Sequence, residues 1–260
     1  MTVSITVPDE AAQVLEILRG CLMDRLLAVY LHGSAVAGGL RPHSDVDILA
    51  VVDRGLTIEQ RRTLAGRLMS ISAYPAREGG PRPVEVIILQ LSDLQPLGQP
   101  PRADFVYGEW LRADFEAGEL AQPVRDPEFV AVIAGARQSA LTLSGPPAAE
   151  FLPAVSAADL CRAMRQGLPA LLATLDGDER NVLLTLTRMW HTLETGIMAP
   201  KDMAAQWAVA RLPAEAAGVV AFARRDYLGP PLAGTEWRRQ GRAVRLAAEC
   251  LAAHVKCRLD

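Results

Sequence analysis

The chain has 260 residues, half of them apolar, 22% charged and 5% aromatic. Domains usually run to roughly 100–200 residues, so this length predicts one large or two modest domains, and the composition excludes a disordered chain. Twenty-seven basic residues against 30 acidic ones leave a net charge of −3, which argues against a nucleic-acid coat with its cationic stripe, while so few aromatics argue against a stacking platform for single strands.

Almost all the basic residues are Arg, and the only lysines are Lys201 and Lys256. The longest stretch free of Asp, Glu, Lys and Arg runs from Leu26 to Leu40 and contains His32, Ser34 and several glycines. It is too short and too polar to span a bilayer. No basic residue precedes Arg19, so the pattern of a secretory signal is missing and a cytoplasmic protein is expected. Cys21, Cys161, Cys250 and Cys257 form no C-x-x-C pair. They predict buried free thiols rather than a zinc site or a disulfide framework.

In chain order, Pro8 and Asp9 open a helix whose apolar face is Val14, Leu15, Leu18, Cys21 and Leu22. A strand over Leu26–Leu31 ends at His32, Gly33 and Ser34, and Gly38, Gly39, Pro42, His43 and Ser44 mark a loop or short helix. The next strand covers Asp45–Val52. Thr57 and Gln60 make a capping-box signature for a helix that buries Leu64, Leu68 and Ile71. After Gly79, Gly80 and Pro81 comes a third strand, Pro83–Leu89, then two or three helices up to a break at Gly145, Pro146 and Pro147, read as the linker.

Beyond about residue 150 the pattern is helical throughout, with Ser156, Asp178 and Thr235 as N-caps and Pro200 in a first turn. Val182, Leu183, Leu186, Met189, Trp190 and Leu193 line one helix, which Gly196 ends. The expected organisation is an α/β (α+β) domain over residues 1–150, with a mixed sheet, followed by an all-α helical bundle over residues 151–260.

The chemistry concentrates in one constellation: Gly33 and Ser34, ten intervening residues, then Asp45 and Asp47. Residues i and i+2 of a strand share a face, so the two carboxylates point together while Val46 faces the core. Like charges so placed repel, and a bound cation removes the conflict. Oxygen-only ligands favour Mg²⁺, which binds through one or two carboxylates plus substrate phosphates. Gly33 permits a tight turn at the strand end, and Ser34 offers a hydroxyl and an amide to a phosphate oxygen. Alone, Gly-Ser reads as a plain turn and the acidic pair as a solvated strand start; together they favour a metal–nucleotide site. Glu85 is a third carboxylate in an otherwise apolar strand. Unpaired, its charge would cost several kcal/mol, so it reads as a metal ligand, a general base, or an edge-strand Glu facing solvent.

The stretch from Leu31 to Leu49 resembles the nucleotidyltransferase signature of the DNA polymerase β superfamily, and within it the aminoglycoside (3'')(9) adenylyltransferases, which modify streptomycin and spectinomycin. The likeness continues through 107–112, 177–181, 186–190, 199–202 and 227–229, and so spans nearly the whole chain. The resemblance implies a nucleotidyltransferase domain followed by a helical bundle, acting on ATP and an antibiotic, with no nucleic acid, membrane or obligate protein partner. It implies that Ser34 and Ser44 touch the triphosphate, that Asp45 and Asp47 bind Mg²⁺, and that Glu85 is the catalytic base and a metal ligand. It assigns Asp126, Arg188, Lys201 and Tyr227 to ATP, and Trp110 and Asp178 to the drug. Read from the residues alone, Trp110 is a core indole and Arg188 a surface cation, while Lys201 at a helix start suits an anionic partner.

Members that modify streptomycin carry a Trp nine residues and an Asp four residues before the position of Asp178. Here those positions are Pro169 and Thr174, with Asp176 nearby. Spectinomycin is therefore the expected acceptor, ahead of streptomycin. Two other readings stay open at this point: a nucleotidyltransferase that modifies a protein, as in toxin–antitoxin pairs, and a non-catalytic nucleotide-binding regulator.

Overall fold

The computed structural model describes residues 6–42, 44–75, 79–230 and 234–259. His43, read from the sequence as part of a loop, lies outside the described residues. Contacts divide the chain into two compact units, Met1–Val155 and Ser156–Asp260.

The first unit is built on a six-stranded mixed sheet: β1 (Leu26–His32), β2 (Val46–Val52), β3 (Val84–Gln90), β4 (Arg102–Tyr107), β5 (Val124–Arg125) and β6 (Leu141–Ser144), in the order β5-β4-β3-β2-β1-β6. Only β2 and β3 run parallel. They must, because the helix α2 (Ile58–Ile71) crosses over between them and returns the chain to the same end of the sheet. The Thr57 hydroxyl accepts the Gln60 amide at 3.2 Å and the Gln60 side chain accepts the Thr57 amide at 3.0 Å, so the capping box forms as its sequence dictates.

Period-two alternation splits the strands between two apolar layers. Val46, Ile48, Ala50 and Val52 of β2, with Val84, Val86 and Ile88 of β3, pack with α1 (Asp9–Leu22) and α2. Leu49 and Val51, with Ile87 and Leu89, pack on the opposite face with α5 (Glu128–Ser139) and α6 (Ala148–Phe151).

Between Leu89 and Gly145 the three helices α3 (Leu91–Leu94), α4 (Arg112–Glu116) and α5 are present, but so are β4, β5 and β6, which the sequence pattern does not predict. β4 is hidden because Arg102 and Asp104 interrupt its apolar run. Asp104 is nevertheless buried at 2% exposure, and its Oδ2 accepts from Arg61 Nη2 and from the Leu56 amide, both at 2.8 Å. The charge is thus compensated from α2.

Gly145–Pro147 is not the linker. Gly145 has φ +85° and lies so close to the Leu27 carbonyl that a Cβ would stand 2.3 Å from it. The Pro146 carbonyl accepts the Tyr30 hydroxyl at 2.9 Å, and Ala148 and Leu152 are buried in the α5 layer.

The second unit holds α7 (Ala157–Ala173), α8 (Glu179–Thr195), α9 (Lys201–Val209), α10 (Ala214–Leu228), α11 (Gly234–Arg239) and α12 (Gly241–Leu259). Val182, Leu183, Leu186 and Trp190 of α8 are buried against Ala205 and Ala208 of α9, Val220 and Ala223 of α10, and Leu251 and Val255 of α12. Ser156 caps α7 by accepting the Asp159 amide at 3.1 Å, and Gly196 ends α8 in the left-handed region at φ +72°. Pro200 stands at the N-cap position of α9 rather than inside its first turn. Thr235 falls within α11, which starts at Gly234, and its side chain lies outside the described residues.

The cysteines depart from expectation: Cys21, Cys161 and Cys250 are half-buried and Cys257 is exposed, all as free thiols. They sit on the flanks of amphipathic helices, where the apolar stripe meets solvent. Among the described residues no helix is long and apolar enough to cross a membrane.

Removing one partner of a buried pair strands the other charge, so Asp104→Ala should destabilise the protein by about 3–5 kcal/mol, read as a fall in the urea midpoint. Retention of the wild-type midpoint would contradict the role given to Arg61 and Asp104.

Candidate active site

The strand register places one row of polar side chains across three strands: His32 of β1 faces Asp47 of β2, and Asp47 faces Glu85 of β3. Neighbouring strands lie about 4.7–4.9 Å apart, and the parity that puts Leu49, Val51, Ile87 and Leu89 on one face puts Asp47 and Glu85 on that same face. Asp45 immediately precedes β2, and all three carboxylates are half-buried.

Gly33 turns the chain out of β1 with φ +65°, and a Cβ there would stand 1.9 Å from Asp47 Oδ2. Only glycine lets the backbone lie against that carboxylate. The next residue supplies the buried Ser34 Oγ, which finds no hydrogen-bond partner among the described residues. A buried hydroxyl left so costs about 1–3 kcal/mol, and its position fits a donor to a phosphate oxygen. Ser44, also buried, accepts the Arg41 amide on its Oγ at 2.9 Å, which ties down the approach to β2 while the hydroxyl keeps its own proton to give.

The donor chemistry fits Mg²⁺, since it is oxygen-only and backed by hydroxyls suited to a triphosphate. Among the described residues no three His, Cys, Asp or Glu side chains form a ready-made metal cage.

Trp110 is not a core residue. It lies in the 3-10 turn Glu109–Leu111 and is 60% exposed, with its indole over Gly108, where a Cβ would come within 2.2 Å of the ring. That turn is anchored from below: Glu109 accepts from Arg112 Nε at 2.7 Å, from Tyr107 Oη at 2.9 Å and from the Ser72 hydroxyl. Burial pushes Tyr107 up to about 12. Burial also works against the Glu109 carboxylate, but the hydrogen bonds from Arg112, Ser72 and Tyr107 outweigh it and hold Glu109 below its ordinary value. Asp126 accepts the Glu128 amide at 2.7 Å, which gives it work at the start of α5.

In the second unit, Arg188 is half-buried on α8 and Tyr227 half-buried on α10. Lys201 is the first residue of α9, and its Nζ donates to Asn181 Oδ1 at 2.6 Å. Asn181 in turn donates from Nδ2 to Asp178 Oδ2 at 3.1 Å. Asp178 holds the N-cap position of α8, but among the described residues no α8 amide reaches its exposed carboxylate. Asn181 carries no role in the sequence reading, although three residues in a helix bring it beside Asp178.

A family model described as the polymerase β nucleotidyltransferase matches residues 16–96, and one described as the aminoglycoside adenylyltransferase C-terminal domain matches residues 150–254. Spectinomycin 9-adenylyltransferase of Staphylococcus aureus is 43% identical over 223 residues, 86% of each chain. Aminoglycoside (3'')(9) adenylyltransferase of Klebsiella pneumoniae is 40% identical over 225 residues, again 86% of each. The chain belongs to the aminoglycoside adenylyltransferase family. A crystal structure of spectinomycin adenyltransferase AAD(9) from Enterococcus faecialis with ATP and spectinomycin superposes with a TM-score of 0.88, at 29% identity over 95% of this chain and 98% of that one.

In this adenylyltransferase the two positions that the resemblance links to streptomycin are Pro169 and Thr174. Pro169 lies inside α7 and Thr174 is its C-cap, with the Thr174 hydroxyl donating back to the Leu171 carbonyl at 2.9 Å. Asp176 is engaged by Arg245 at 3.0 Å.

Gly108→Ala in this adenylyltransferase should lift the indole off its seat and change the tryptophan fluorescence, and the change should vanish when Trp110→Phe is added. An unaltered spectrum for Gly108→Ala would show that Trp110 does not rest there.

Proposed function

We propose that the enzyme transfers AMP from ATP to a hydroxyl of spectinomycin, at its 9-position, with pyrophosphate leaving. The observation that carries this reading is the row of Asp47 and Glu85 in register beside the Gly33–Ser34 turn; the spectinomycin adenylyltransferases among the relatives and the AAD(9) structure support it.

The acceptor oxygen forms a bond to the α-phosphorus, the bond from that phosphorus to the bridging oxygen of pyrophosphate breaks, and the acceptor proton goes to the Glu85 carboxylate. Asp45 and Asp47, with Glu85, would hold Mg²⁺, which when bound neutralises charge on the triphosphate. Ser34 and Ser44 give hydroxyl protons to phosphate oxygens. Arg188, Lys201, Tyr227 and Asp126 contact ATP, the first two by opposing its negative charge. The exposed Trp110 ring offers a flat apolar seat for the antibiotic, and the exposed Asp178 carboxylate suits the protonated amines of an aminocyclitol. With ATP as donor, the reaction belongs in the cytoplasm.

Streptomycin should be a poor acceptor. Pro169 offers no aromatic face, and the Thr174 hydroxyl is neutral and bonded to its own helix, so neither can meet a guanidinium as a stacked ring and a carboxylate would.

The test is pyrophosphate release by the purified protein with ATP and Mg²⁺, run with spectinomycin, with streptomycin and with no acceptor. Release with spectinomycin alone is expected. Release with streptomycin at a similar rate would break the argument from Pro169 and Thr174, and silence with both drugs would remove the proposed activity. Glu85→Gln should bind ATP nearly as well as wild type but turn over roughly 10²-fold more slowly. A fully active Glu85→Gln enzyme would take the base role away from Glu85.

A further inference from the structure

We propose that Asn181 is a positioning residue that couples the nucleotide-binding and antibiotic-binding groups of the helical unit by holding Lys201 and Asp178 at the two ends of one side-chain amide. The inference rests on the reading above, in which Lys201 contacts ATP and Asp178 holds the drug.

The polarity of this chain of hydrogen bonds is fixed by chemistry. Lys201 Nζ can only donate and an ionised Asp178 can only accept, so the amide of Asn181 must turn its oxygen to the lysine and its nitrogen to the carboxylate. The two distances, 2.6 Å from Lys201 Nζ to Oδ1 and 3.1 Å from Nδ2 to Asp178 Oδ2, agree with that single orientation. The amide gives both a donor and an acceptor from one rigid planar group. A carboxylate would satisfy the lysine but repel Asp178, and an aliphatic group would satisfy neither.

The backbone makes Asn181 the natural bridge. Asp178 and Asn181 are three residues apart, so both side chains rise on one face at the start of α8. Lys201 opens α9 directly after Pro200, at the end of a helix that favours anions. To this ammonium Asn181 brings an acceptor from α8 at 2.6 Å. Charge-assisted hydrogen bonds are stronger than neutral ones and more directional, so displacing either end of the chain moves the other. Binding at Lys201 and binding at Asp178 therefore share part of their ordering cost, which gives positive coupling between ATP and antibiotic.

The test compares Asn181→Leu and Asn181→Asp with wild type, using the full chain, ATP, Mg²⁺ and spectinomycin. Asn181→Leu, which loses both contacts, should raise the KM for ATP and the KM for spectinomycin by roughly tenfold each, the size expected for hydrogen bonds to charged groups. Asn181→Asp keeps the acceptor for Lys201 and replaces the donor to Asp178 by a repelling charge. It should raise the KM for spectinomycin while leaving the affinity for ATP measured without the drug near wild type, and spectinomycin should no longer tighten ATP binding. A merely structural role would lower the melting temperature and move both constants together in both variants, so the split between the two variants is the decisive reading. In a Lys201→Gln background the effect of Asn181→Leu on the KM for ATP should shrink to within about twofold, because the residues act as one unit.

If Lys201→Gln and Asp178→Asn impair ATP and spectinomycin kinetics as proposed, but Asn181→Leu matches wild type or the two Asn181 variants behave alike, the coupling role is overturned and the function stands. If Lys201→Gln and Asp178→Asn leave ATP and spectinomycin kinetics unchanged, the roles given to those two residues fall and the coupling falls with them, whereas the absence of turnover by the wild-type protein would remove the function itself.

Discussion

Parallel pairing of β2 with β3 is the constraint on which the nucleotidyltransferase unit depends. It follows from α2: a helix that crosses from one strand to the next brings the chain back to the same end of the sheet, and the two strands then start side by side. Val46 pairs with Val84 and Asp47 with Glu85. Once that register is set, strand alternation does the rest. The apolar residues divide between two helical layers, and the carboxylates fall in line on one face at the strand starts. A shift of one residue would turn Glu85 into the opposite layer and put Val84 or Val86 in its place.

Antiparallel pairing of β1 with β2 adds the second half of the arrangement. It carries His32 beside Asp47 and aims the end of β1 at the same spot, so the Gly33 turn and the Ser34 hydroxyl arrive next to the acidic row. The side-chain-free Gly33 is what lets backbone and carboxylate approach. Like charges gathered on one face and a buried hydroxyl without a partner are costly by themselves. The cation and phosphate of the proposed reaction would lower both costs, which is the physical link between this fold and that proposal.

The helical unit solves a different problem. Two of the residues proposed for small-molecule recognition, Asp178 and Lys201, lie at the starts of α8 and α9, on the rim of a core dominated by α8. There a polar chain of Lys201, Asn181 and Asp178 runs between two helices whose apolar faces are already packed. The core supplies rigidity, and the hydrogen bonds at its edge supply geometry. Trp110 follows the same logic in the first unit, where the Glu109 network holds a short turn so that the indole stays at the surface over Gly108.

Local features were legible in the chain: the capping box at Thr57, the glycine stop of α8, the amphipathic helices, the three central strands and the Gly-Ser and Asp-x-Asp motifs. These rest on interactions a few residues long, so spacing and residue type suffice to reveal them. Motif similarity, which extends over nearly the whole chain, also named the family. The features that emerge on folding involve partners far apart in the chain. Asp104 made β4 look unlike a strand because its compensating cation, Arg61, belongs to a distant helix. Gly145–Pro147 looked like a linker because its contacts with Leu27 and Tyr30 are across the sheet. Trp110 read as core because an indole carries no mark of which side of a turn it will occupy, and Asn181 was silent because half of its role depends on a lysine on another helix. Long-range charge compensation and helix-to-helix hydrogen bonding leave no periodic trace in the sequence, and only the folded chain brings those groups together.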